Sequence, residues 1–151
     1  MTAIDKFKLD GKTVVVTGGG RGIGYAVAEF SASVGADVAV IDILEEVGVD
    51  EARRLAASSG CEVNFYRADL RQPHDVAEVA ARIEADFGRV DVLFNCIGVN
   101  PNTPVLDIPA EEWRSVMDVN VNGQFYAAQA FASRWRATAV VASSRSARTP
   151  V

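Results

Sequence analysis

Three consecutive valines, Val14, Val15 and Val16, run directly into Thr17-Gly18-Gly19-Gly20-Arg21-Gly22-Ile23-Gly24, and an amphipathic stretch follows. A buried strand that enters a glycine-rich turn and opens a helix leaves few folds available. Bare backbone in such a turn lets a pyrophosphate approach, and the unpaired N–H groups at the helix start, with the positive end of its dipole, favour an anion. Gly18, Gly22 and Gly24 form a G-x-x-x-G-x-G pattern rather than the commoner G-x-G-x-x-G. A tight turn with no ligand would use the same residues, so the rest of the chain has to decide.

The rhythm downstream is strand, helix, strand, helix. Residues 12–16 read as a strand. Ile23, Val27, Phe30 and Val34 recur at helical spacing, and Gly35 stops that helix. Residues 37–41 predict a second strand, 49–58 a helix ended by Gly60, and 62–66 a third strand. Val76, Val79, Ala80, Ile83 and Phe87 mark a third helix ended by Gly88, and 90–94 a fourth strand. A loop with Pro101 and Pro104 leads to one long helix over 109–133, and 139–142 would be a fifth strand. Near-continuous apolar strands between amphipathic helices imply an α/β, doubly wound parallel sheet of Rossmann type, covered on both faces. With 151 residues the whole chain, 1–151, reads as a single dinucleotide-binding domain.

Composition narrows the partners. A formal charge of −5 argues against a nucleic-acid surface. Residues 1–10 hold no apolar leader, and no run is long enough to span a membrane, so a soluble, cytoplasmic protein is expected. Cys61 and Cys96 fit no disulfide framework or metal site and read as small buried hydrophobes; no metal is expected. His74, beside Pro73, reads as a surface or capping residue. Residues 134–151 stand apart, with Arg134, Arg136, Arg145 and Arg148 but no acid and no glycine.

Several polar residues fall where strands should end. Asp42, eighteen residues after Gly24, would accept hydrogen bonds from a ribose 2′-OH and repel a 2′-phosphate, which favours NAD. Arg21 lies within the turn, where a phosphate contact or a surface role is open to it. Asp69 and Leu70 follow the third strand, and Asn95, Cys96, Ile97 and Gly98 follow the fourth. Asn120 interrupts an apolar stripe of Trp113, Val116, Met117, Gln124, Ala127 and Phe131. Asparagine is a poor mid-helix residue that needs partners when buried, so a structural network or a site-building role would each account for it.

Residues 17–24, Asp69 and Leu70, Asn95 to Gly98 and Asn120-Val121-Asn122-Gly123 resemble, in order and spacing over residues 8–133, the short-chain dehydrogenase/reductase family. That resemblance implies a nicotinamide-dependent oxidoreductase of secondary alcohols and ketones, with a small alcohol or carbonyl compound as substrate. Gly18, Arg21, Gly22, Ile23 and Gly24 would hold the pyrophosphate side of NAD, Asp42 the ribose hydroxyls, and Asp69 with Leu70 the adenine. Asn95 and Gly98 would shape the wall behind the cofactor, Asn120 would anchor a proton-relay water, and Ser144 would orient substrate. Cys96 and Ile97 depart from the family's usual Asn-Ala.

One family feature is missing. Members carry a catalytic Tyr-x-x-x-Lys, yet four residues beyond Tyr25, Tyr66 and Tyr126 stand Glu29, Leu70 and Ala130, and no lysine follows Lys12. The chain therefore resembles a member cut off before that pair and incomplete on its C-terminal side; a shifted reading frame over 134–151 is the other explanation. Homo-oligomers are implied for full-length relatives and are doubtful for this chain. A non-catalytic NAD-binding module and a non-functional fragment are the rival readings. The apolar face around Trp113, Met117 and Phe131 is expected to lie uncovered, with poor stability.

Overall fold

The computed structural model describes residues 7–138. Strands β1 (Thr13–Thr17), β2 (Asp37–Asp42), β3 (Val63–Arg67) and β4 (Val92–Asn95) alternate with helices α1 (Gly22–Ser33), α2 (Glu45–Ser59) and α3 (Pro73–Phe87). After β4 come α4 (Ala110–Met117), a π-helical turn (Asp118–Gly123) and α5 (Gln124–Thr138). The strands form a parallel sheet in the order β3-β2-β1-β4, the doubly wound α/β architecture that the sequence implies.

Alternation along the strands divides the core in two. Val14, Val16, Val38 and Val40 face Ala28 and Ala32 of α1 and Ala52 and Leu55 of α2. Val15, Ala39 and Ile41 face the opposite layer, where Val76, Val79 and Ile83 of α3 meet Ala127 and Phe131 of α5. With both faces covered, β1 is buried throughout, which explains its unbroken run of apolar residues.

Several boundaries and faces differ from the sequence reading. Helix α2 starts at Glu45, and β4 at Val92 rather than 90. In α1 the apolar stripe coincides only in part with the buried face: Val27 packs against the core, but Ile23 is 81% and Phe30 63% exposed, while Gly24, Ala28, Ser31 and Ala32 are buried. Close approach to the sheet selects small residues, because a Cβ on Gly24 would overlap the Gly18 carbonyl oxygen. The long helix is broken by the π turn, in which Asn122 Nδ2 donates to Asp118 Oδ1 at 2.8 Å.

Phe131 is fully buried, contrary to the expected uncovered stripe, because α5 lies against α3 and the sheet; Trp113 remains 53% exposed. Helix α5 also continues past residue 133, and Arg134 Nε donates to Glu84 Oε2 of α3 at 3.0 Å. Cys61 and Cys96 are half-buried rather than buried. His74 is a surface residue in the first turn of α3. Residues 139–142 and Ser144 lie outside the described residues.

Asp91 fastens the sheet at its other end. Its carboxylate accepts the Thr13 N–H at 3.0 Å and the Lys12 ammonium at 3.1 Å, and it pairs with Arg89. Burial pushes this carboxyl up, but the Thr13 amide, Lys12 and Arg89 outweigh it and hold it below the usual carboxylate range. A carboxyl depressed by folding stabilises above its unfolded pKa of about 3.9 and loses that contribution as pH falls further. Asp91→Asn is therefore expected to cost about 2 kcal/mol near neutrality. Urea melts at pH 7 and about pH 3 should show the gap closing in acid; an equal gap at both would remove the carboxylate from the account.

Candidate functional site

All four strands point their carboxyl ends at one open cleft of about 710 Å³. Gly18 enters it from β1, Asp42 from β2, Asp69 and Leu70 from beyond β3, and Cys96 to Asn102 from beyond β4. The glycine turn lies at the switch point, since the chain leaves β1 toward β2 and later returns to pair β4 on the opposite side. Open α/β sheets bind ligands at that place.

The three glycines of the turn serve different ends. Gly22 adopts φ +59°, and a Cβ added there would meet nothing within 4 Å, so backbone conformation alone requires it. Gly24 has no space for a Cβ, and on Gly18 (φ +64°) one would sit 2.9 Å from the Ile97 backbone. Helix α1 then begins after Arg21, whose backbone is extended, with no side-chain cap and no acid in the first turn. Its leading N–H groups are open to an anion. The bare glycine backbone and the uncapped helix start suit the pyrophosphate of a dinucleotide. Arg21 and Ile23 are exposed and line the same cleft.

The two acids singled out from the sequence are both engaged. Asp42 Oδ2 accepts the Gly20 N–H at 2.9 Å and Oδ1 the Leu44 N–H at 3.1 Å, tying the turn to the end of β2. Asp69 is gripped by Arg71, whose Nε and Nη2 donate at 2.6–3.1 Å while its backbone N–H adds a bond at 3.0 Å. The Arg71 guanidinium accordingly holds the Asp69 carboxyl below the usual range. Leu70 borders the cleft, but its side chain is core, only 2% exposed.

Asn95 does not line the cleft. It supports the wall from below, where its Oδ1 accepts from the Thr17 hydroxyl at 3.2 Å and its Nδ2 donates to the Gln124 carbonyl at 3.3 Å. Gln124 Nε2 in turn donates to the Ile97 carbonyl at 3.1 Å. Asn120, on the π turn, accepts the Val99 N–H and donates to the Val99 carbonyl, both at 2.8 Å. Both ends of its amide are thus satisfied by one residue's backbone beside Gly98. Rare π turns concentrate at functional sites; this one aims an amide at the loop after β4.

The sequence reading did not single out Leu44, Arg71, Val99, Asn102, Glu112 or Ser115, which also border the cleft. Arg71 was traceable, since an arginine two residues from a site carboxylate is a ready ion-pair partner. Glu112 was not, because its bonds reach a loop nine and ten residues back. None of the three tyrosines borders the cleft. Burial and the Glu51 carboxylate push the Tyr25 hydroxyl up. Burial also raises Tyr66, which donates to Asp86 Oδ2 at 2.6 Å. Among the described residues no cluster suited to a metal ion occurs, and no helix is long and apolar enough to cross a membrane.

Known proteins resemble this chain in sequence and fold. Residues 12–151 match the family model described as short chain dehydrogenase, a span that includes 134–151. A 2,5-dichloro-2,5-cyclohexadiene-1,4-diol dehydrogenase of Sphingobium indicum is 40% identical over 118 residues, 78% of this chain and 46% of that protein. The NADPH-dependent 3-quinuclidinone reductase of Rhodotorula rubra superposes with a TM-score of 0.82 at 33% identity, covering 91% of this chain and 52% of that one. An NAD+-bound xylitol dehydrogenase gives 0.83 at 30% identity, covering 87% and 50%. The chain spans about half the length of the relatives it matches. The extent of the family match, together with the diol dehydrogenase identity, establishes that the chain belongs to the short-chain dehydrogenase family.

Proposed function

We propose that the cleft binds NAD and that the chain is the cofactor-binding part of an oxidoreductase acting on a secondary alcohol or ketone. The observation that carries this is the turn between β1 and α1, where Gly22 and Gly24 bring uncapped helix N–H groups to the cleft beside Asp42. Bound nicotinamide would supply a hydride acceptor or donor. The protein's own part is to hold the pyrophosphate at residues 18–24, the adenosine ribose at Asp42, and the adenine at the crevice beside Asp69 and Leu70. Asn120 holds Val99 directly, and Asn95 supports the wall at the β4 end through Gln124, which in turn holds Ile97. A role for Asn120 in anchoring a relay water, and for Ser144 in orienting substrate, completes the reading. Small polyols and related diols are the substrate class it favours, in keeping with the diol and xylitol dehydrogenases among the similar proteins. A single domain over residues 1–151 in a soluble, cytoplasmic protein belongs to the same reading.

NAD(H) over NADP(H) follows from charge. A 2′-phosphate would meet the Asp42 carboxylate, and such like-charge juxtaposition costs several kcal/mol, enough for roughly a hundredfold preference. Arg21, also on the cleft, offers a partial counterweight. Calorimetric titration should give that ratio. Asp42→Ala should narrow it, chiefly by weakening NAD, which would lose the carboxylate acceptor for its ribose hydroxyls; the loss of the bonds to Gly20 and Leu44 should weaken both cofactors alike. Equal affinities in the unaltered chain would overturn the assignment.

A further inference from the structure

The loop that follows Val99 forms the outer wall of the cleft through Asn100, Pro101 and Asn102. It has no regular secondary structure between β4 and α4, so something else must hold it. Glu112, in the first turn of α4, reaches back to it. Its Oε1 accepts the Asn102 N–H at 2.8 Å and the Thr103 N–H at 3.3 Å, while Oε2 accepts the Thr103 hydroxyl at 2.5 Å. Three donors from adjacent residues converge on one carboxylate, and Glu112 is itself among the residues that border the cleft. The Thr103 hydroxyl and the two amides hold the Glu112 carboxyl below its ordinary value, so it stays ionised and acceptor-only at neutral pH.

The other end of this wall is fixed separately, by the Asn120 clamp on Val99. Between the two anchors lies a short span, Asn100 to Asn102, that includes Pro101. Strand order puts this span on the opposite side of the glycine turn from Asp42 and Asp69. A ligand whose one half occupies the β2–β3 side would therefore feel the span only through its other half.

We infer that Glu112 is a positioning residue: it latches the loop over residues 100–103 onto α4 and so sets the wall of the cleft at its β4 end, where the nicotinamide half of a dinucleotide would lie. The inference rests on the dinucleotide reading for the ligand, but the latch itself is a property of the apoprotein. Its absence would free the loop without disturbing the cradle at residues 18–24 or the acids of β2 and β3.

Two readouts separate these levels. Hydrogen exchange on the unliganded chain follows the Asn102 and Thr103 amides, and titration compares NAD+ with ADP-ribose, which lacks the nicotinamide ring. Glu112→Ala is expected to speed exchange at both amides by about tenfold or more, to weaken NAD+ about tenfold, and to leave ADP-ribose within about twofold. Glu112→Gln keeps an acceptor and should recover most of the NAD+ affinity. Thr103→Val removes only the hydroxyl bond and should give a smaller change in the same direction, which serves if Glu112→Ala fails to fold. Unchanged exchange in these variants, or equal weakening of the two ligands, overturns the latch. If the unaltered chain binds neither ligand, the dinucleotide reading fails, and amide exchange alone decides the latch.

Discussion

Gly24→Ala is expected to abolish measurable NAD binding and to lower the stability of the whole chain. The added methyl would overlap the carbonyl oxygen of Gly18, and that oxygen belongs to backbone, not to a side chain that can swing away. Either α1 moves off β1 or the turn opens. Overpacking of this kind costs about 1–3 kcal/mol, and displacement of the anion-facing N–H groups by about 1 Å can cost a hundredfold in a positioned interaction. Two companions give the effect its meaning. Gly22→Ala meets no neighbour but must hold a positive φ, so it should cost about 1 kcal/mol and weaken binding modestly. Gly60→Ala carries similar strain at the far end of α2, at φ +74°, and should lower the melting temperature without changing affinity. Thermal melts with calorimetry on all three would test this ranking, and a Gly24→Ala chain that binds NAD within threefold of the parent contradicts it.

Hydride transfer by the 151-residue chain should be undetectable even with NAD bound. An alcohol gives up hydride readily only as a base takes its proton, a contribution of about 10²–10⁴ in rate. The sequence contains no Tyr-x-x-x-Lys. The environments of Tyr25 and Tyr66 raise their pKa values, away from what proton transfer near neutrality needs. Neither lines the cleft, and the Asn120 side chain is an amide, which takes up no proton near neutrality. Absorbance of reduced nicotinamide, followed with a panel of polyols, diols and ketones, provides the measurement. Turnover should emerge when the chain is extended through a segment bearing Tyr-x-x-x-Lys. Turnover without it, persisting in the Asn120→Ala, Ser144→Ala double variant, would reveal a base elsewhere.

Much of this architecture was legible from order and spacing along the chain. Strands such as β1 and β2, nearly continuous in apolar residues and separated by amphipathic helices, imply a parallel sheet, because such strands are buried on both faces. The glycine turn was legible for a related reason: positive φ and close backbone approach are demands on single residues, and glycine alone meets them. The position of Asp42 and Asp69 at strand ends followed from counting.

What those acids touch was decided in three dimensions. Asp42 is claimed by Gly20, twenty-two positions away, and Asn120 by Val99, twenty-one positions away. Nothing in local spacing specifies such pairs, since they exist only once α1, the π turn and the β4 loop converge on one sheet edge. The same holds for burial. Hydrophobic periodicity identified α1 as a helix but only part of its buried face: Val27 packs against the core, while Ile23 and Phe30 are exposed because the contact with the sheet needs the smallest side chains. Phe131 has no visible cover along the chain and is core because α5 closes on α3. Composition and period thus determined which elements form and in what order. Only packing could determine which polar atoms meet, because a hydrogen bond depends on positions within a few tenths of an ångström that distant segments set together.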